Sequence, residues 1–175
     1  MFSFIFKFLA LTPSSQSAHP LLQVSEIIES NIELYVQDGQ LMVQSPSNPN
    51  VFFPFRDPIH QLAPKPQSNE GWTLVPTDCS SAQSKIELSY TYLEDTYTAE
   101  ATQDKEGLRI YWKQGDTLLA EQLIMQQAVP CAIHILDADA SPGLEMVVAW
   151  QFSPELKGFT IFKIPDTAVL NTPAP

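Results

Sequence analysis

Glycine and arginine are both scarce in this chain: six glycines in 175 residues, and only Arg56 and Arg109 as arginines. Phosphate-cradling and dinucleotide-binding loops depend on closely spaced glycines, and neither fingerprint is present. Acids outnumber bases 20 to 9, a formal charge of −11. Such a surface repels phosphate backbones and anionic lipid, which disfavours nucleic-acid and membrane-surface roles. It suits cations or a basic protein partner instead. No apolar run reaches the roughly 20 residues that span a bilayer, so no stable membrane span is expected.

Cysteine is nearly absent too. Cys79 and Cys131 are too far apart for a local redox or zinc pair, and neither has a CxxC neighbour. In an exported protein they would form a disulfide, closing a loop that contributes about 4 kcal/mol on a chain-entropy estimate. In the cytosol they would be two small buried hydrophobes. The N-terminus bears on this choice. Residues 2–11, FSFIFKFLAL, form a compact apolar run followed by small polar residues. The pattern matches a secretory signal peptide over residues 1–17, cleaved after Ser17, although no basic residue precedes the run and Lys7 interrupts it. A periplasmic or secreted location is therefore the working expectation.

Proline is plentiful at 15, and 44% of residues are hydrophobic. That mixture suits one globular core of strands joined by stiffened loops, over residues 18–164, with a tail at 165–175. Leu21, Val24, Ile27 and Ile28 lie near helical spacing after Pro20, which suggests one short N-terminal helix, with a strand as the alternative. Residues 32–44 alternate around Asp38-Gly39 and form the clearest hairpin. Residues 45–67 carry six prolines and are expected to be a long loop, since proline offers no ladder donor. Within it, Phe52, Phe53 and Phe55 either fold back as a lid over the core or stand out as a partner-binding patch. From Lys85 to Met125, strand patterns recur with a turn every eight to twelve residues. This is the cadence of an antiparallel meander in a sandwich or a partial propeller-like sheet. All-β is the expected fold class.

The stretch Cys131 to Phe152 holds the most specific signal. Ile133, Ile135 and Leu136 lead into Asp137-Ala-Asp139-Ala-Ser141-Pro-Gly143-Leu-Glu145, and Met146, Val147, Val148 and Trp150 lead out. Two short buried strands flank a turn rich in oxygen ligands. Asp137, Asp139, Ser141 and Glu145, at relative positions one, three, five and nine, resemble the loop of FG-GAP and VCBS-type repeats, where a strand opening Glu-hydrophobic-Val-Val follows. Ser141 stands where the repeat has a third acid, and Pro142 where it has the turn glycine. The resemblance covers about residues 129–164 and implies one propeller-type blade, export, and a loop of the kind that often holds calcium. Two readings of the loop stand side by side. In one, the four residues hold calcium as a bound cofactor; in the other, the aspartates accept backbone N–H bonds and brace the turn.

Catalytic patterns are missing. There is no HExxH and no nucleophile elbow, and His19, His60 and His134 are scattered. His60 with Asp57 is a generic pair, and Glu94-Asp95 points to opposite faces of a strand. The expected function is an exported, non-catalytic binding or assembly module that contacts a protein partner. Its rivals are an inhibitor or immunity-type protein against a basic secreted enzyme, and a carbohydrate-active hydrolase whose groove Trp72, Trp112 and Trp150 could line.

Overall fold

The computed structural model describes residues 18–28, 33–38, 40–45, 47–55, 63–64, 71–75, 79, 83–92, 94–124, 127–136, 138 and 143–165. Among them there is no helix, and the fold is all-β. The signal-peptide and tail assignments, and His60 with Asp57, lie outside the described residues.

Three sheets make up the molecule. Sheet A is a meander of β8 (Lys85–Tyr92), β9 (Asp95–Gln103), β10 (Leu108–Gln114) and β11 (Thr117–Ile124), with β1 (His19–Pro20) added parallel at the β11 edge. Sheet B runs β12 (Val129–Leu136), β13 (Glu145–Ser153), β14 (Leu156–Lys163) and then β2 (Leu22–Ile28). Sheet C contains β3 (Leu34–Gln37), β4 (Gln40–Ser45), β5 (Asn48–Pro54), β6 (Ala63–Pro64) and β7 (Trp72–Leu74), in the order β6-β5-β4-β3-β7.

Sheet B lies between the other two. Met146, Val148, Trp150 and Phe162 share a core with Ala99, Ile110, Trp112 and Ala120 of sheet A. On the opposite face, Val147, Ala149, Phe159 and Ile161 share a second core with Leu34, Leu41 and Val43 of sheet C. Burial on both faces explains why β13 opens with an unbroken apolar run after Glu145, whereas β8 alternates between half-buried and exposed residues. The strand–loop–strand stretch at 129–153 is thus the middle of the molecule. Its two strands pair antiparallel, with Ile135 opposite Met146.

Local chemistry places the turns. Asp38 takes φ 49° between β3 and β4, a left-handed conformation that aspartate tolerates. Between β9 and β10, the Asp104 carboxylate accepts the N–H groups of Glu106 and Gly107 at 2.7 and 3.1 Å. The disulfide Cys79–Cys131, with a Cα–Cα distance of 5.2 Å, ties the approach to β8 onto β12.

Two expectations are corrected. The segment after Pro20 is strand rather than helix: β2 is held by an antiparallel ladder to β14, and that pairing overrides a weak helical spacing. Leu21 is the corner, buried in the A–B core, where the chain passes from the edge of sheet A to the edge of sheet B. Nor is the proline-rich stretch simply a loop, because β5 and β6 run within it. The three described prolines of this stretch sit where a ladder tolerates them. Pro49 falls at an irregularity in the β4–β5 register, Pro54 closes β5, and Pro64 lies on the edge strand β6. Gln44 compensates at the irregularity by donating its side-chain amide to the Pro49 carbonyl at 3.0 Å.

Trp150 shows how tightly sheet B is fitted. Its ring lies over Gly158, its cross-strand partner, where an added Cβ would stand 2.3 Å from the indole. The indole N–H donates to Thr160 Oγ1 at 2.9 Å, and that hydroxyl donates to Glu26 on β2 at 3.3 Å. Gly158→Ala is accordingly expected to cost about 1–3 kcal/mol through overpacking. Urea unfolding measures the loss, and an unchanged midpoint would contradict this packing.

Candidate functional site

Three features at and around the end of the sandwich where β12 ends and β13 begins could act on a ligand. The first is the carboxylate loop itself. Asp137, Asp139 and Ser141 lie outside the described residues, but Ala138 and Glu145 are described and fully packed. Glu145 opens β13 with 0% exposure and accepts the Ala138 N–H at 2.7 Å. Its other oxygen is paired with Lys163, its direct neighbour across the β13–β14 ladder. An ion pair this deep needs both its charge partner and its hydrogen bond to offset lost hydration. The Glu145 carboxylate therefore already has a cation, supplied by the chain. Gly143, at φ 107°, leaves room for the Lys163 stem, which a Cβ there would approach to 3.1 Å. Among the described residues, no three His, Cys, Asp or Glu side chains gather as a metal ligand set.

The second feature is a groove of about 520 Å³ at the mouth between sheets A and B. Tyr90 and Tyr92 line it from β8, Tyr97 from β9 and Trp112 from β10. Pro20 and Leu22 line it from the N-terminal corner, and Lys163 to Pro165 from the end of β14. Tyr97 and Trp112, stacked with ring centroids 5.2 Å apart, are almost wholly buried. Tyr92 and Leu22, by contrast, are 54% and 66% exposed, large apolar surface left to solvent. The Trp112 indole N–H is buried and meets no acceptor among the described residues. A register shift falls directly after Trp112 in the β10–β11 pair, the kind of irregularity that re-aims side chains beside a site.

A second cleft, between sheets B and C, is lined by Asp38, Thr73 and His134, and Leu144 borders both hollows. Burial pushes the His134 imidazole below its usual pKa, which keeps it neutral at physiological pH. This is the behaviour of a histidine on the face of a sheet rather than of a general base. Glu94 and Asp95 are exposed at the β8–β9 turn, and no helix among the described residues is long and apolar enough to cross a membrane.

No family model, no curated protein and no solved structure matches the chain. What the site does must therefore be argued from its own residues.

Of the two readings of Phe52, Phe53 and Phe55, a fold-back onto the core or a partner-binding patch, the structure shows inward packing. Phe52 is fully buried and meets Tyr35 and Trp72 edge-on at 5.2 and 5.6 Å. Phe53 and Phe55 pack against the B–C core. The exposed-patch expectation is corrected for a simple reason: strand pairing turns these rings onto sheet C. The tyrosines of the A–B mouth were not singled out from the sequence. Their signal was weak but present, with Tyr90, Tyr92 and Tyr97 crowded around a single hairpin turn.

Apart from these, a charged cluster lies on the outer face of sheet A. Glu100, though nearly buried, is bridged by Lys113 at 2.6 Å and Lys85 at 3.1 Å and accepts the Thr102 hydroxyl at 3.0 Å. Burial alone would push its carboxyl pKa up, but the hydrogen bonds from Lys113, Lys85 and Thr102 outweigh it and hold the group below the usual 4.5. A depressed folded value contributes stability above the unfolded pKa, and that contribution is lost as pH falls through the folded one.

Two outcomes are expected. Glu100→Gln should cost about 1–2 kcal/mol at pH 7, a gap that closes once pH drops well below 4.5. Urea unfolding at neutral and acid pH reads this directly. Lys163→Met leaves the Glu145 carboxylate buried without its ammonium and should cost about 3 kcal/mol. A calcium titration followed by melting temperature tests the ion at the same locus. Wild-type stability should respond little, and recovery of the variant by calcium would show a metal taking the place of the lysine.

Proposed function

We propose that this chain is an exported, non-catalytic binding module that holds a protein partner at the loop end of its sandwich. The observation that carries this reading is the A–B mouth. It combines exposed Tyr92 and Leu22 with a buried aromatic floor in a single concavity. Large exposed apolar side chains gathered at a groove are typical of a contact surface and costly for a surface that meets only water. The disulfide supports export, because thiols are kept reduced in most cytosols. Residues 129–164 are taken as an FG-GAP/VCBS-like blade, supported by the hairpin of β12 and β13 and by a four-stranded sheet in which they are neighbours.

The formal charge of −11 favours a second reading, an inhibitor or immunity-type protein that blocks a basic secreted enzyme. Attraction of that kind is largely electrostatic and weakens as salt shortens the Debye length. Contact through an aromatic mouth is far less sensitive to salt.

Immobilised wild-type protein and the Tyr92→Ala variant, challenged with the secreted or periplasmic fraction of the native host, separate the two. The proposal predicts a protein retained by the wild type, lost in the variant, and held from about 0.05 to 0.5 M salt. Retention that ignores Tyr92 and disappears as salt rises would establish the electrostatic reading instead.

A further inference from the structure

We infer that the hollow between sheets B and C receives a lysine side chain of the protein partner, its stem on the apolar wall and its ammonium at Asp38, Thr73 and His134. This rests on the binding-module reading above and names a second point of contact. Leu144 borders both hollows, so a partner seated on the A–B mouth stands beside this one.

The hollow measures about 460 Å³, the size of a small-ligand site. Strand register brings its polar groups to one space. Val36 and Val147 belong to the B–C core; Thr73 is the cross-strand neighbour of Val36, and His134 that of Val147. Directly paired residues share a face, so Thr73 and His134 both lie on the inner faces of their sheets. Asp38 stands at the rim, exposed on the β3–β4 turn. Val36, Ile135, Leu136 and Leu144 supply the apolar wall.

Donor and acceptor counts select the ligand. Among the described residues, none of the three polar side chains has a hydrogen-bond or charge partner. The carboxylate and the hydroxyl oxygen accept, and a neutral imidazole keeps one ring nitrogen as an acceptor. Burial holds His134 in that neutral form at physiological pH. An ammonium is the complement, with three donors, no acceptor and a charge opposite to that of Asp38. Its methylene stem lies on apolar surface while the head stays near water, as lysine side chains commonly do. An anion would meet Asp38 with no base beside it. Residues 37–40, 71–75 and 137–143, which carry and flank much of the lining, contain no lysine or arginine. Two residues before Val147 stands Glu145, already paired with Lys163, and β3 and β7 carry no charged residue. A metal ion fits less well, because no three His, Cys, Asp or Glu side chains gather among the described residues.

The test is an NMR titration of the whole protein with Nα-acetyl-lysine methylamide. A parallel arm uses the norleucine analogue, which keeps the stem and lacks the ammonium. His134→Gln assigns the His134 imidazole signal. The lysine probe should shift that signal and lower the His134 titration midpoint, since a bound cation disfavours the imidazolium. The norleucine probe should do neither. Asp38→Asn keeps a residue that tolerates the left-handed turn and should weaken lysine-probe binding at least about tenfold. Thr73→Val should weaken it about threefold, both variants melting as the wild type does. A His134 midpoint unmoved at the highest soluble concentration of lysine probe overturns the proposal, as does an equal response to norleucine. Capture from the host fraction identifies the source of the lysine: Asp38→Asn should cut retention of the Tyr92-dependent partner at least about tenfold. If capture needs Tyr92 but ignores Asp38→Asn, the binding-module reading stands and the lysine assignment falls. If no partner depends on Tyr92, the binding-module reading falls and takes this assignment with it.

Discussion

Burial of one sheet on both of its faces is the constraint from which the rest of this structure follows. Sheet B cannot meet water on either side along most of β13, so it requires sheet A on one face and sheet C on the other. Leu34 and Leu41 of sheet C and Ile110 and Trp112 of sheet A are there to meet it. The same requirement explains the N-terminal segment. Its first strand joins sheet A, Leu21 turns the corner, and β2 covers the free edge of β14. One short stretch thereby ties the two sheets together and makes β2, in place of β14, the outermost strand of sheet B.

The functional end is a consequence of that layering. Where β13 begins and β14 ends, the sheets splay enough to leave two hollows separated by Leu144. A carboxylate at the first residue of β13 would be intolerable there without compensation. Glu145 receives it from Lys163 across the ladder and from the Ala138 N–H at 2.7 Å. Glu145 is thus held by a lysine of its own sheet, and the described lining of the neighbouring mouth is mostly apolar and aromatic.

Much of the fold could be read from residue order. The alternation in β8 to β11, the Asp38-Gly39 hairpin and the uninterrupted apolar run in β13 all carry their periodicity on the surface. What could not be read depended on partners distant in sequence. Leu21 to Ile28 has a helix-like spacing, and only the β14 ladder, more than a hundred residues away, makes it a strand. The prolines of β5 and β6 argue against a sheet until the irregular register and the edge position are known. The site divides in the same way. The oxygen-rich loop was visible, but its lysine partner was not, because Lys163 meets Glu145 only through strand register. Phe52, Phe53 and Phe55 carry the louder aromatic signal, but residue order alone leaves open whether they fold back or stand out, and the structure packs them inward. The quieter tyrosines around the β8–β9 turn are the ones that line a groove.

Native-state amide hydrogen exchange tests the central claim most directly, because protection reports how fully each strand is enclosed. With sheet B covered on both faces, the amides of Met146 to Trp150 should exchange only through global unfolding and be among the slowest in the protein. Those of the edge strand β8 should exchange faster through local opening. Protection in β13 no greater than in β8 would contradict a doubly covered central sheet.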